Sequence, residues 1–310
     1  MIESPMDVLQ AFPVRKSRKQ KQAFRDAVQS YAEDLGYPVA VEQGRFGSRN
    51  IVIGDPEAAR YLITAHYDTP ASLWIPNLMI PCSLPLFLLS QILLAVLLYV
   101  PTIAAVWLTV RLAPGTMLWY PVALAMVWLT LFWMLAGPAN PRNANDNTSG
   151  VVTVLETAAS MPKVLRDRVC FVLFDMEELG MIGSASYRKK HHCATNVQTV
   201  LNLDCVGDGN TIMLMPDKIV KKDPRHMERL MALERICGIK SVRVRRQGFT
   251  FFPSDQMSFP RGIGICALRK NVLCHYAGRI HTFRDTVLEY TNVNILRACL
   301  ITYISSGAVE

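Results

Sequence analysis

The chain has 310 residues, 51% of them apolar and only 19% charged, with a mean hydropathy of +0.20 that is unusual for a soluble enzyme. Its formal charge of +8 gathers in Arg15-Lys16-Arg18-Lys19-Lys21, Lys218-Lys221-Lys222 and Arg243-Arg245-Arg246. Such clusters suit an anionic membrane surface or a solvated face, and without an RNA or DNA motif nucleic acid is not an expected partner. The eight cysteines form no C-x-x-C pair and no regular spacing, which excludes a zinc ribbon and a disulfide framework.

In chain order, Met6, Leu9 and Phe12 precede Phe24, Val28, Tyr31 and Leu35, whose spacing predicts a helix that Gly36 terminates. Strands are expected at 50–54 and 59–65, the second delivering His66-Tyr67-Asp68 at its end. From Thr69 to Pro141 the only charged side chain is Arg111, and all five tryptophans (Trp74, Trp107, Trp119, Trp128, Trp133) lie in that window. Crossing about 30 Å of hydrocarbon takes roughly 20 apolar residues. Residues 84–110 and 116–136 both reach that length, with Pro101 as a kink and Arg111 and Pro114-Gly115 turning the chain between them. A soluble hairpin would need a core thick enough to hide both helices on all sides. Trp74, Trp119-Tyr120 and Trp133 fit interfacial belts near the helix ends.

Both ends of a two-helix hairpin emerge on one side, so the flanking soluble parts share a compartment. Arg111 in the turn against Arg142 on the other side leaves the charge bias tied. The opening MIESPMDVLQ lacks a basic stretch followed by an apolar run, so no signal peptide is expected. With the unpaired cysteines, this favours a multi-pass protein of the cell membrane whose soluble part faces the cytoplasm.

Soluble patterning resumes at Asn143, and Asn147-Thr148-Ser149-Gly150 opens a helix with Val151, Val152, Val154, Leu155 and Ala158 as its apolar residues. Strands are expected at 169–174, 197–203, 212–215, 242–244 and 264–268, and helices at 225–237 and 292–305. Alternating strands and helices predict an α/β fold, a three-layer α/β/α sandwich with a mixed sheet. The expected division is 1–72 and 141–310 as one catalytic domain, with 73–140 an inserted transmembrane hairpin.

The run FVLFDMEELGMIGSASY at 171–187 organises the rest. A buried apolar strand ends at Asp175-Met176, two adjacent carboxylates, Glu177 and Glu178, follow, and Ser184 can cap a short helix. The C-terminal ends of strands are where α/β sheets place their chemistry. Other predicted strand ends carry His66 and Asp204, Asp146 opens a helix, and His281 lies in Arg279-Ile280-His281-Thr282. Two imidazoles and several carboxylates suit divalent zinc. Five ligands serve two zinc ions only if one carboxylate bridges, and Asp68, two residues beyond His66, can orient that imidazole.

The segments Ala65-His66-Tyr67-Asp68-Thr69, Asn143-Ala144-Asn145-Asp146-Asn147-Thr148-Ser149-Gly150, Glu177-Glu178-Leu179-Gly180, Asn202-Leu203-Asp204 and His281-Thr282-Phe283-Arg284-Asp285-Thr286 together resemble the M28 family of di-zinc metallopeptidases. Ser254-Asp255 with Phe259 and Gly262-Ile263 is similar to a further, weaker segment of that family. The resemblance implies an aminopeptidase acting on peptides. Asp146 would bridge two Zn2+ ions, His66 and Asp204 complete one site, and Glu178 and His281 the other. Glu177 would be the general base, supported by Asp68, and the Asp146–Asn147 peptide would be cis.

There are departures from that pattern. Gln256 stands where a histidine is frequent, and Phe251 where some members place a tyrosine hydroxyl for the oxyanion. Stabilisation of the oxyanion is then left to metal, or to a donor such as Tyr276 or His275. His66 and Asp146 stand 80 positions apart, where the family usually has a short loop. Two other classes fit the same fold. One is a glutaminyl-cyclase-like transferase working with a single zinc, against which the retained His66 and Asp204 speak. The other is an inactive membrane scaffold, which would be expected to lose ligands.

Overall fold

The computed structural model describes residues 2–236 and 240–307. Its first part contains α1 (Val8–Ala11), α2 (Arg18–Asp34), β1 (Val39–Gln43), β2 (Arg49–Ile53), β3 (Tyr61–His66), α3 (Leu84–Leu112) and α4 (Trp119–Ala136). Then come α5 (Gly150–Ser160), β4 (Val169–Phe174), α6 (Ile182–Lys190), α7 (His192–Val197), β5 (Thr199–Leu203), β6 (Thr211–Pro216) and α8 (Lys218–Lys221). The chain closes with α9 (Pro224–Leu233), β7 (Ser241–Val244), β8 (Gly262–Lys270), β9 (His275–Tyr276) and α10 (Tyr290–Ser306). The helix expected at 225–237 therefore stops at Leu233, and Cys237 lies outside the described residues.

One mixed sheet runs in the order β1-β2-β4-β3-β5-β8-β6-β7, with β9 on β8. Its centre is parallel: β3 lies between β4 and β5, and β5 pairs with β8. The sequence of β4, Val-Cys-Phe-Val-Leu-Phe, is buried throughout because both faces are covered. Phe171 and Leu173 enter the larger core with Phe24 and Val28 of α2, Val154 and Leu155 of α5, and Leu296 and Leu300 of α10. Cys170, Val172 and Phe174 enter the opposite one with Tyr187 of α6 and Phe259. This is the period-two alternation of a strand sandwiched between helical layers. Burying each such apolar side chain contributes about 1.5–3 kcal/mol.

Helices α3 and α4 pack on each other and, beyond their base, are largely exposed. At 1.5 Å per residue they measure about 43 and 27 Å. They are the two helices long and apolar enough to cross a membrane among the described residues. Only 17% and 6% of their most apolar stretches is buried, unlike the core helices of a soluble protein. Leu89, Ile92, Ile103, Trp107 and Phe132 are all exposed. Pro101 lies inside α3 without ending it. The hairpin's base is fastened to the sheet domain. Leu73 bridges to Thr282 and Met79 to Ala277, Trp133 Nε1 donates to Ser72 O at 3.1 Å, and Phe87 packs edge-on against Phe251.

The N-terminal basic cluster is not one solvated face. Arg15 is fully buried, donating from Nε to Tyr67 O at 2.5 Å and from Nη2 to Thr148 Oγ1 at 3.0 Å. The seven described cysteines are free thiols.

Candidate metal centre

Three adjacent strand ends set the floor of the site. His66 is in register with Phe174, so the end of β3 lies beside the turn that follows β4, and Asp204 immediately follows β5. Asp146 reaches the same place from the start of α5. A β-carbon on Gly150 would meet Leu203 O at 2.5 Å and Asn147 Oδ1 at 2.4 Å, so only glycine lets α5 press this closely onto β5. Asn147 Nδ2 donates to Leu203 O at 2.9 Å, and Asn145 Oδ1 accepts from Gly207 N at 2.6 Å. The Asp146–Asn147 peptide is cis.

These contacts place the side chains singled out from sequence together. His66 Nε2 stands 3.5 Å from Asp146 Oδ1 and 3.6 Å from Asp204 Oδ1. His281 Nε2 stands 3.1 Å from Asp146 Oδ2 and 3.7 Å from Glu178 Oε2. Asp146 thus turns one oxygen to each of two clusters. Asp68 ties the floor to the acidic turn: its two carboxylate oxygens accept the backbone N–H groups of Glu177 and Glu178 at 3.0 and 3.2 Å. His66 Nδ1 lies 3.1 Å from Asp68 O.

The donor chemistry fits divalent zinc. Two ligands held about 2.0–2.2 Å from a tetrahedral zinc lie roughly 3.3–3.6 Å apart, near the 3.5, 3.6 and 3.7 Å of three of these pairs, while His281 and Asp146, at 3.1 Å, are within hydrogen-bond reach of each other. Three overlapping groups can hold an ion: His66-Asp146-Asp204, Asp146-Glu178-His281 and His66-Glu177-Glu178. Glu178 Oε1 and Asp204 Oδ1 are buried without a hydrogen-bond partner among the described residues. Native proteins rarely leave such atoms unsatisfied, and a cation satisfies them.

Without a cation the site is electrostatically crowded. Burial pushes the Glu177 carboxyl well above the carboxylate range; His66 opposes this, while Glu178, Asp255 and Asp204 add to it. Burial likewise raises Glu178 to about 8 and Asp255 to about 7. For His281, burial alone would lower the imidazole, but Glu178 and Asp146 outweigh it and hold it at about 9. A dication relieves this crowding and reverses the local logic.

The centre lines a cleft of about 350 Å³. Asn77, Met79, Phe87 and Gln91, at the base of the hairpin, line it together with Phe252 and Ile280. The apolar run gave no sequence signal for the four at the hairpin base. Tyr276 and His275 do not reach the cleft; they form β9 against β8, because the chain there returns as an edge hairpin. Gln256, in place of histidine, is structural: its Oε1 accepts from Asn202 Nδ2 at 2.8 Å.

A three-layer sandwich with a histidine–carboxylate centre at its strand ends defines the class of zinc exopeptidase-like enzymes. The chain belongs to peptidase family M28, whose model matches residues 132–302. At the level of that family it is a zinc metallopeptidase. No curated protein matches it. Among solved structures, it is similar to Porphyromonas gingivalis glutaminyl cyclase, with 16% identity, 98% of each chain covered and a TM-score of 0.60. It is also similar to the Legionella pneumophila LapA aminopeptidase, with 14% identity, 99% of this chain and 70% of that chain covered, and a TM-score of 0.60. A Bacteroides thetaiotaomicron glutaminyl cyclase bound to N-acetylhistamine aligns at 15% identity over 97% of this chain and 94% of that one, with a TM-score of 0.59. At these identities the likeness is one of fold.

Proposed function

We propose that this chain is a membrane-anchored aminopeptidase, with one zinc held by His66, Asp146 and Asp204 and a second by Asp146, Glu178 and His281. The observation that carries this reading is the divided carboxylate of Asp146, whose Oδ1 faces His66 and whose Oδ2 faces His281. Zinc in such a centre lowers the pKa of water and polarises a carbonyl oxygen.

The chain's own residues do the rest. Glu177 lines the cleft, and its buried, basic carboxylate takes a proton from the attacking water and returns it to the leaving amine. Asp68 is a positioning residue: it fixes the Glu177-Glu178 backbone and lies beside the His66 imidazole. Met79, Phe87, Phe252 and Ile280 offer an apolar lining for a substrate side chain, with Asn77 and Gln91 as its polar groups. A cleft of about 350 Å³ holds one or two residues, which favours cutting at a chain end.

Residues 73–140 are the anchor, with α3 and α4 crossing the bilayer. Residues 1–72 and 141–310 form one catalytic domain on the cytoplasmic side. The exposed apolar faces of α3 and α4 support this, since the bilayer would cover them. The single-zinc cyclase reading shares the fold, but it leaves the His66-Asp146-Asp204 group without a purpose. Detergent-purified protein assayed on aminoacyl-p-nitroanilides and on N-terminal glutaminyl peptides, with zinc counted in the same sample, tests the reading. Two zinc ions with amide hydrolysis are expected; one zinc with cyclisation would overturn it.

A further inference from the structure

A second cavity, of about 560 Å³, lies between the start of α2, the β1–β2 turn and the residues after β4. Six cations line it, Lys16, Arg18, Lys19, Lys21, Arg25 and Arg49, against one acid, Asp175. Asp175 is already engaged: Oδ1 pairs with Lys21 Nζ at 2.5 Å and Oδ2 accepts from Arg49 N at 3.0 Å. Lys21 is the only one of the six in an ion pair among the described residues; Lys16 feels Glu178 and Asp68 only at longer range, and the other four have no directly paired carboxylate. Arg25 is 95% buried, and although Nη1 and Nη2 bond Tyr67 Oη and Gln22 Oε1, its Nε has no partner. Arg18, Lys19 and Arg49 are exposed, so water screens part of the repulsion among the six, and an anion seated between them and the buried Arg25 would relieve the rest. Guanidinium forks beside the N-terminal turn of a 17-residue helix suit phosphate oxygens. The volume exceeds what one phosphate ion needs and suits a phosphate with a polar group attached.

The cavity's place in the fold names the source. β2 runs antiparallel to β4, with Ile51 opposite Leu173, so the turn before β2 stands at the sheet edge where β4 ends. From that same edge the chain leaves β3 at His66 and enters α3 at Leu84. Phe46, at the tip of the turn, is 77% exposed, with the Arg45 guanidinium 5.4 Å from its ring. An exposed aromatic ring beside a basic cavity is the composition of a membrane-interface contact. We propose that this cavity seats the phosphate of an anionic phospholipid headgroup, docking the edge of the catalytic domain on the bilayer that α3 and α4 enter. The assignment rests on the membrane-anchor reading above.

The test uses the full chain in nanodiscs of phosphatidylcholine, with and without phosphatidylglycerol, reading hydrogen exchange over residues 16–25 and 44–49. Phosphatidylglycerol should slow exchange in both segments. In Lys16→Ser/Lys19→Ser protein the lipid should act roughly fivefold more weakly per charge removed. Unchanged exchange in β4 and α5 of the variant would show that its fold is intact. A parallel arm adds inorganic phosphate to phosphatidylcholine-only discs. Protection by free phosphate but not by phosphatidylglycerol would overturn the lipid source, and protection by neither would overturn the cavity as an anion site. Failure of the chain to co-elute with discs would overturn the anchor itself, and would be visible before any exchange was measured.

Discussion

Asp285 accepts the backbone N–H of Asp146 at 2.9 Å through Oδ2, and its Oδ1 accepts that of Asn145 at 2.8 Å. One carboxylate, itself 1% exposed, therefore fixes the segment that turns Asp146 toward both clusters. Asp285→Ala strands two buried amides, each costing about 1–3 kcal/mol. Zinc affinity should fall roughly 10- to 100-fold, as for other residues that orient ligands. Chelator competition against wild type measures this, and equal affinity would remove Asp285 from the account.

Glu177 and Asp146 should fail differently. Glu177→Gln is expected to keep its zinc and lower kcat by roughly 10²- to 10⁴-fold, the range of acid–base catalysis. Asp146→Ala should lose metal, because both donor groups share that carboxylate. Metal analysis alongside kinetics separates them; wild-type turnover by Glu177→Gln protein would reassign the base.

How much of this was legible depends on how local the cause was. β4 is six consecutive apolar residues, a signal that both faces are buried, and it stands where expected. β1, Val-Ala-Val-Glu-Gln, is an edge strand with mixed exposure and carries no such pattern. Ser184 looked like a helix cap, but α6 begins at Ile182, and the Ser184 hydroxyl instead bonds Met181 O and lies 2.9 Å from Ser258 Oγ. Arg15 reads as one more surface cation until its partners, Tyr67 and Thr148, arrive from 52 and 133 positions away. The part Asp285 plays is hidden for the same reason, since its donors come from 139 and 140 positions earlier.

The hairpin base should matter to catalysis while its outer part should not. Asn77, Met79, Phe87 and Gln91 line the cleft, and Asn140 Nδ2 donates to Asp285 O at 2.7 Å. Replacing residues 73–140 with a Gly/Ser linker is expected to give a soluble, zinc-binding protein with a raised KM. Restoring 73–91 and 136–140 around a shorter linker should recover KM. Loss of zinc binding in the longer replacement would mean that the catalytic domain does not fold without the hairpin.

Zinc should stabilise the protein more as pH rises. In the zinc-free protein, burial raises Glu178 from 4.5 to about 8. His281 rises from 6.5 to about 9, because neighbouring carboxylates outweigh its burial. Both groups then hold protons when folded that they release on unfolding, so zinc-free stability falls as pH climbs from about 6.5 to 8. Asp146 shifts downward, so it acts only in acid. Ligand deprotonation makes zinc binding tighten over the same range. The gain in Tm on adding zinc to chelator-treated protein should be larger at pH 8.5 than at pH 6.5; an equal or smaller gain would refute this charge assignment.

The orientation of the catalytic domain can be read from a thiol already present. Cys193, in α7, is exposed, whereas Cys170, Cys205, Cys266 and Cys299 are buried. α7 packs with the sheet and lies far in sequence from α3 and α4, so on the proposed topology labelling there reports the side occupied by residues 1–72 and 141–310 together. A membrane-impermeant maleimide should leave Cys193 unmodified in intact cells and modify it once the cells are opened, with Cys193→Ser protein identifying the signal. Labelling of Cys193 in intact cells would place the metal centre outside and reverse the topology.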